Sequence, residues 1–189
     1  LHFHNHLEVG FCYYGEGTVT FKEDIPFDGN MFTVIPKNFP HTTTSAGDSV
    51  SYWEWLFIDA DKFLREVYKD NPRMAQKVLD RVNRRAHFVR VQDKPQIGAL
   101  VQQIIGCMRE RKEFYLEEVK GLTLALLLQV ARWNREEAEK TEFEAGNSSL
   151  ITPAIDYISE CCDRPIKVEE LAAMCHISET HLRRVFHDC

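Results

Sequence analysis

The chain holds 189 residues, 44% apolar and 28% charged, an ordinary balance for a globular protein that excludes collagen-like, disordered and disulfide-scaffold classes. Its 23 basic and 29 acidic residues leave a formal charge of −6, which argues against a generally basic nucleic-acid coat but leaves room for a small local DNA-reading surface. The longest nearly unbroken apolar run, Leu122 to Leu128, falls far short of the ~18 residues that a membrane span needs. No signal peptide precedes the first motif, and a cytoplasmic protein is expected. The chain starts without Met and stops at Cys189 inside a helical pattern, so it reads as a piece trimmed at both ends. Its six cysteines show no CxxC spacing and are expected to be reduced thiols, three of them at apolar positions of helical patterns.

The first 58 residues read as strands. Glu8 to Tyr14 is rich in β-formers and ends at the turn Gly15-Glu16-Gly17. Thr18 to Lys22 alternates, with Val19 and Phe21 on one face. Asp28-Gly29-Asn30 is a second turn, Met31 to Ile35 a third strand closed by Pro36, and Ser51 to Ile58 a fourth. Short strands and Gly-rich turns with no intervening helix suggest an antiparallel barrel or sandwich.

After Asp59 the period becomes helical. Asp61 to Tyr68 and Pro72 to Arg84 have helical spacing, and Pro72 suits a first helical position. A further strand is expected at His87 to Val91. Ile97, Leu100, Val101, Ile104, Ile105 and Met108 then form one apolar stripe. A second long helix is expected from about Phe114 to Glu139, with core positions Leu116, Val119, Thr123, Leu126, Leu127, Val130 and Trp133. Leu122, Leu124 and Leu128 add apolar surface on other faces, which a barrel or a partner subunit would cover. The polar, small-residue stretch 141–150 reads as a linker.

From 151 onward the pattern is compact and helical. Thr152-Pro153 is a helix start, with Ile155, Ile158 and Cys162 on one face, and Asp163-Arg164-Pro165 a stop. Val168 to Met174 forms a short helix with Leu171, Ala172 and Cys175 apolar. After the tight connection 175–178, Ser178 caps a helix that turns Leu182, Val185 and Phe186 inward and leaves Glu179, Thr180, Arg183 and Arg184 outward. A short helix, a turn and a second helix, with small Ala172 at the crossing, is helix-turn-helix geometry; it is equally the pattern of an ordinary helical hairpin. In the first case Arg183 makes a bidentate contact to guanine, or both arginines hold phosphate.

The run 165–186 resembles the first helix-turn-helix of AraC-family transcription regulators, through Leu171-Ala172, Ser178, Leu182 and Phe186. The resemblance implies that Thr180, Arg183 and Arg184 are base-reading positions, and Ser178 and His181 complete the expected DNA-facing set. The family also has a second helix-turn-helix, which cannot fit in the three residues after Phe186. The piece alone is therefore expected to bind DNA poorly.

At the other end, His2, His4, His6 and Glu8 form the densest group of potential ligands. His2, His4 and Glu8 share strand parity, and His41 follows the third strand. Three imidazoles and a carboxylate suit a divalent ion of the Zn, Fe, Mn or Ni type. The spacing of His2, His4, Glu8 and Gly15 resembles the first cupin motif. Gly29, Pro36 and His41 resemble the second, with one extra residue before the Pro. This implies a small antiparallel β-barrel. In metal-using cupins the four matching residues are ligands; in AraC-type regulators the same barrel commonly holds a small organic effector, often a sugar. A structural histidine cluster is the third possibility. Parity places Glu8, Gly10, Cys12 and Tyr14 on the face of His2 and His4, and Trp53, Trp55 and Phe57 on one face of the last strand. There they either stack on a sugar ring or pack as core.

The expected class is thus α+β: an antiparallel cupin-like β-barrel with short helices (residues 1–95), a long-helix connector that dimerises (96–140), a linker (141–150) and a partial AraC-type helix-turn-helix (151–189). The expected function is a ligand-responsive bacterial transcription regulator that binds double-stranded operator DNA as a homodimer and is not an enzyme. Its effector, a carbohydrate by preference, would meet His2, His4, Glu8, Tyr14, His41, Trp53 and Trp55, with no cofactor and no resident metal. The alternative is a metal-dependent cupin enzyme with a helical appendage.

Overall fold

The computed structural model of the chain describes residues 2–140, 151, 153–155, 157–158, 161 and 165–188. The expected linker at 141–150, the Thr152 cap, the stop at 163–164, Cys162 and Cys189 lie outside the described residues.

The described residues hold seven strands: β1 (Leu7–Tyr14), β2 (Gly17–Thr20), β3 (Asp24–Phe27), β4 (Met31–Ile35), β5 (Thr42–Ser45), β6 (Tyr52–Ile58) and β7 (His87–Arg90). They form two antiparallel sheets, one in the order β6-β1-β4-β7 and one in the order β3-β2-β5. The expected antiparallel β unit is there, but the described strands do not close into one barrel. Beyond the sheets, an antiparallel bridge joins His2 to His41.

Strand β1 shows why the sheets layer as they do. Residues 7–12 are all buried, so both of its faces are covered. Its odd positions Leu7, Val9 and Phe11, with Phe32 and Val34 of β4, join the main core. Its even position Cys12 packs with Met31 against Val19 and Phe27 of the small sheet. The large sheet is therefore the middle layer, with helices on one side and the small sheet on the other.

The helices are α1 (Ala60–Val67), α2 (Pro72–Val82), α3 (Pro95–Glu110) and α4 (Tyr115–Lys140). Asp59 caps α1 by accepting from the Lys62 amide at 3.0 Å, and Asn71 caps α2 ahead of Pro72 by accepting from Met74 at 3.2 Å. The α3 stripe is buried at Ile97, Val101, Ile104 and Ile105, whereas Met108 at its end is exposed. In α4, Thr123, Leu126, Leu127, Val130 and Trp133 are buried as expected. Leu116 is not: it is 49% exposed.

The C-terminal unit has its own core. Residues 151, 153–155 and 157–158 are helical, followed by α5 (Val168–Met174) and α6 (Glu179–Asp188). Ile151, Ala154, Ile155, Leu171, Ala172, Cys175, Leu182 and Val185 pack together. Phe186, expected inward, is 38% exposed. Cys12 and Cys175 are buried and Cys107 and Cys161 half-buried.

Candidate functional site

The backbone brings the histidines together. His2 and His41 exchange two main-chain hydrogen bonds, N to O at 2.9 Å each way, and the Asn38 amide donates to the His4 carbonyl at 2.6 Å. These bonds strap the start of the chain along the loop before β5. Glu8 rises from β1 beneath them. The ligand atoms of His2, His4, Glu8 and His41 all lie within 4.8 Å of one another. Four residues from three separate segments thus meet at one point, of which sequence parity related only three.

The interior of this cluster is polar. Glu8 and His41 are buried, His4 is half-buried and His2 is exposed. His4 Nε2 is 3.0 Å from Glu8 Oε2, and His41 Nε2 is 3.2 Å from Glu8 Oε1. Yet Glu8 Oε2 and His41 Nε2 have no aligned hydrogen-bond partner. His41 Nδ1 lies 2.9 Å from the Phe39 carbonyl, an acceptor, so the ring hydrogen sits on Nδ1 and a neutral ring turns a lone pair toward Glu8. Burial alone would lower the His41 pKa; Glu8 and the Phe39 carbonyl outweigh it and leave it raised. His2 moves the other way, lowered by burial and then by His41 and His4.

The aromatic face of β6 is as parity required. Trp53 and Trp55 stack with centroids 4.8 Å apart and planes at 7°, and Phe57 meets His4 edge-on at 4.9 Å. Trp55 lies over Gly10, where an added Cβ would come within 2.3 Å of the indole ring. Trp53 stands against Phe27 and packs on the cluster between the sheets, so its inner side is core. Its indole N–H is buried without a partner. Phe57, which sequence reasoning aligned with the tryptophans but left out of the ligand set, touches the cluster most directly.

Tyr14 lies elsewhere. The pairing of β1 with β6 shifts register between Cys12 and Tyr14, so Tyr14 leaves the His4–Glu8 face and stacks on Tyr52 at 5.7 Å. An irregularity of one residue breaks the parity rule, and no residue type in Cys12-Tyr13-Tyr14 signals it.

In the C-terminal unit, Ser178 Oγ accepts from the His181 amide at 3.2 Å and caps α6. Thr180, Arg183 and Arg184 are exposed, and His181 is half-buried. Leu182 and Val185 fill the other side of the helix, so the two arginines project away from the packed side. His176, in the turn, has a positive φ of 54°.

No protein-family model matches the chain, and no curated protein matches it. Solved structures do. ToxT of Vibrio cholerae O395 aligns with 98% of this chain and 66% of its own, at a TM-score of 0.55 and 11% identity. Apo ToxT K231A from Vibrio cholerae strain SCE256 aligns with 96% of this chain and 66% of its own, at 0.52 and 10%. The AraC-like transcriptional activator CuxR aligns with 97% and 61%, at 0.47 and 15% identity. The chain thus spans just under two thirds of the ToxT chain. At such identities the likeness speaks for fold alone, and this chain shares its fold with ToxT.

Proposed function

We propose that the protein is a ligand-responsive transcription regulator of bacterial type that reads double-stranded DNA with α6. The observation that carries this reading is the exposed set Thr180, Arg183 and Arg184 on a Ser178-capped helix whose opposite side packs Leu182 and Val185, in a chain that shares its fold with ToxT. Such a helix fits the major groove, Arg183 reading guanine and Arg184 holding phosphate. His181 lies on the flank of that surface, and the Ser178 hydroxyl hydrogen is left to meet a phosphate. Neither α5 nor α6 is strongly basic, so affinity from this unit rests on few contacts.

The front unit is the sensor in this reading. Its effector is a carbohydrate or a related polyhydroxylated metabolite, with Trp55 and Phe57 as the stacking surface and Glu8, His4 and His41 as polar anchors. An aromatic wall with a few convergent polar groups suits such a ring. Trp53 supports this wall from inside. Tyr14 has no part in it. The exposed Phe114 and Leu116 at the start of α4 are the proposed homodimer contact, and the regulator works in the cytoplasm. Effector control requires that the effector bind one arrangement of the dimer more tightly than the other.

The test is selection of the full-length protein on a random duplex library, with and without candidate sugars. Enrichment of a discrete motif, weakened by Arg183→Ala, is the expected result. Retention of all sequences equally, or of none, would overturn the DNA-reading role.

A further inference from the structure

We infer that the cleft where the ends of β4, β1 and β6 meet α1 and α2 binds a small zwitterion of the amino-acid class, its ammonium held by Asp59 and Asp61 and its carboxylate by Lys37. This goes beyond the regulator reading and does not depend on it.

Strand order polarises the cleft. In the large sheet β1 lies between β6 and β4, antiparallel to both. Leu7 pairs with Ile58 and Glu8 with Ile35, so the start of β1 stands beside the ends of its two neighbours. The chain therefore presents Asp59 and Asp61 on one flank of β1 and Lys37 on the other, with His6 between them, and all four line the cleft. At about 4.8 Å per strand, the acidic and basic backbones stand roughly 10 Å apart. Side chains that reach inward from both flanks shorten that gap to the length of a short amino acid.

The cavity holds about 320 Å³, at the lower end of the roughly 300–1,000 Å³ of small-molecule sites, so it suits a metabolite of few heavy atoms. Buried Leu7, Ala60 and Leu79 give it an apolar floor. Oδ1 of Asp59 accepts from the Lys62 amide and Oδ1 of Asp61 pairs with Arg65, which leaves each a second carboxylate oxygen. Asn83, at the end of α2, also lines the cleft, and its Oδ1 is buried without a hydrogen-bond partner. A donor brought in beside it, with a small turn of the amide, removes that cost. Three oxygen acceptors on the helix flank match the three hydrogens of an ammonium group, and Lys37 opposite offers a charge-assisted bond to a carboxylate. An inorganic cation fits worse, because among the described residues Asp59, Asp61 and His6 do not bring their ligand atoms around one point. A lone anion would face two carboxylates, and a lone cation would face Lys37. A molecule that carries both charges meets neither repulsion.

The experiment is calorimetric titration of the full chain with glycine, β-alanine, γ-aminobutyrate and δ-aminovalerate, with acetate and methylammonium as single-charge controls. The expected result is saturable binding of at least one of the four amino acids, one per chain, with a rise in melting temperature. Acetate and methylammonium should bind at least about 10-fold more weakly, as loss of one charge-assisted bond implies. Lys37→Gln and Asp61→Asn should each weaken the amino acid by a similar factor. Asp59, not Asp61, caps α1, so the helix start survives the second replacement. Asp70→Asn, exposed and outside the cleft, should bind as the parent does. No saturable binding of any of the four, equal binding of a single-charge control, or binding lost in Trp55→Ala and kept in Lys37→Gln would overturn the site. The last outcome would move the ligand to the aromatic wall of β6. None of these results bears on DNA selection, so the two proposals fail separately.

Discussion

The ring of His87 on β7 donates through Nε2 to Oδ1 of Asn134 on α4, and both groups are buried. Asn134 Nδ2 in turn donates to the Arg81 carbonyl at 2.7 Å, at the end of α2, which sets the amide orientation. His87 also stacks on Trp133 at 3.6 Å. One polar connection thus ties a sheet edge to two helices.

This arrangement makes stability depend on pH. Burial, only partly offset by Asn134, pushes the His87 pKa down to about 4 from 6.5. A base depressed in the fold takes up its proton more readily in the unfolded chain. Its contribution is fully present above about pH 6.5 and is lost as pH falls toward 4. The shift corresponds to roughly 3 kcal/mol. Urea midpoints measured from pH 7.5 to 4 should fall more steeply for the parent than for His87→Gln. Parallel curves would refute the assignment.

Gly10 carries a steric prediction. A Cβ there meets the Trp55 ring at 2.3 Å and Thr33 Oγ1 at 2.8 Å. Gly10→Ala should cost about 1–3 kcal/mol. The cost should shrink in a Trp55→Ala background and persist in part, because Thr33 stays. Equal costs in both backgrounds, read by thermal melts, would mean that the indole yields freely.

For the DNA surface, Arg183→Ala in the full-length protein should weaken operator binding by about 1–3 kcal/mol and relax preference at one base pair. Fluorescence anisotropy on the selected motif and its single-base variants reads both effects. Uniform weakening across variants would make Arg183 a phosphate contact.

The dimer prediction moves with the structure. Leu124 packs against the main core, whereas Leu116 is 49% exposed. Leu116→Glu should therefore yield monomers in sedimentation without lowering the melting temperature of the monomer. A dimer that survives it would place the contact elsewhere.

Reading the chain one residue at a time reached far on the apolar elements. The α3 stripe, the buried half of α4, the Ser178 cap and the aromatic face of β6 follow from periodicity, because one side of each element must leave water. Strands β3 and β5 did not stand out. Asp24–Phe27 contains Pro26 and buries only Phe27, and Thr42–Ser45 is polar and largely open, so neither shows an apolar alternation. Asn134 was missed because a polar residue one step beyond Trp133 looks like the solvent side until His87 is brought against it.

Sequence by itself determined which residue types were available for chemistry and on which side of each strand or helix they stand, since local periods of 2 and 3.6 are properties of the backbone. Tertiary structure alone supplied the main-chain bonds that bring His41 to His2, His4 and Glu8, a grouping the cupin resemblance implied, and decided that Tyr14 stays out of it and that Phe186 and Leu116 remain open. Those outcomes depend on main-chain bonds between segments more than thirty residues apart, and on a shift in strand pairing, neither of which leaves a mark in the order of nearby side chains.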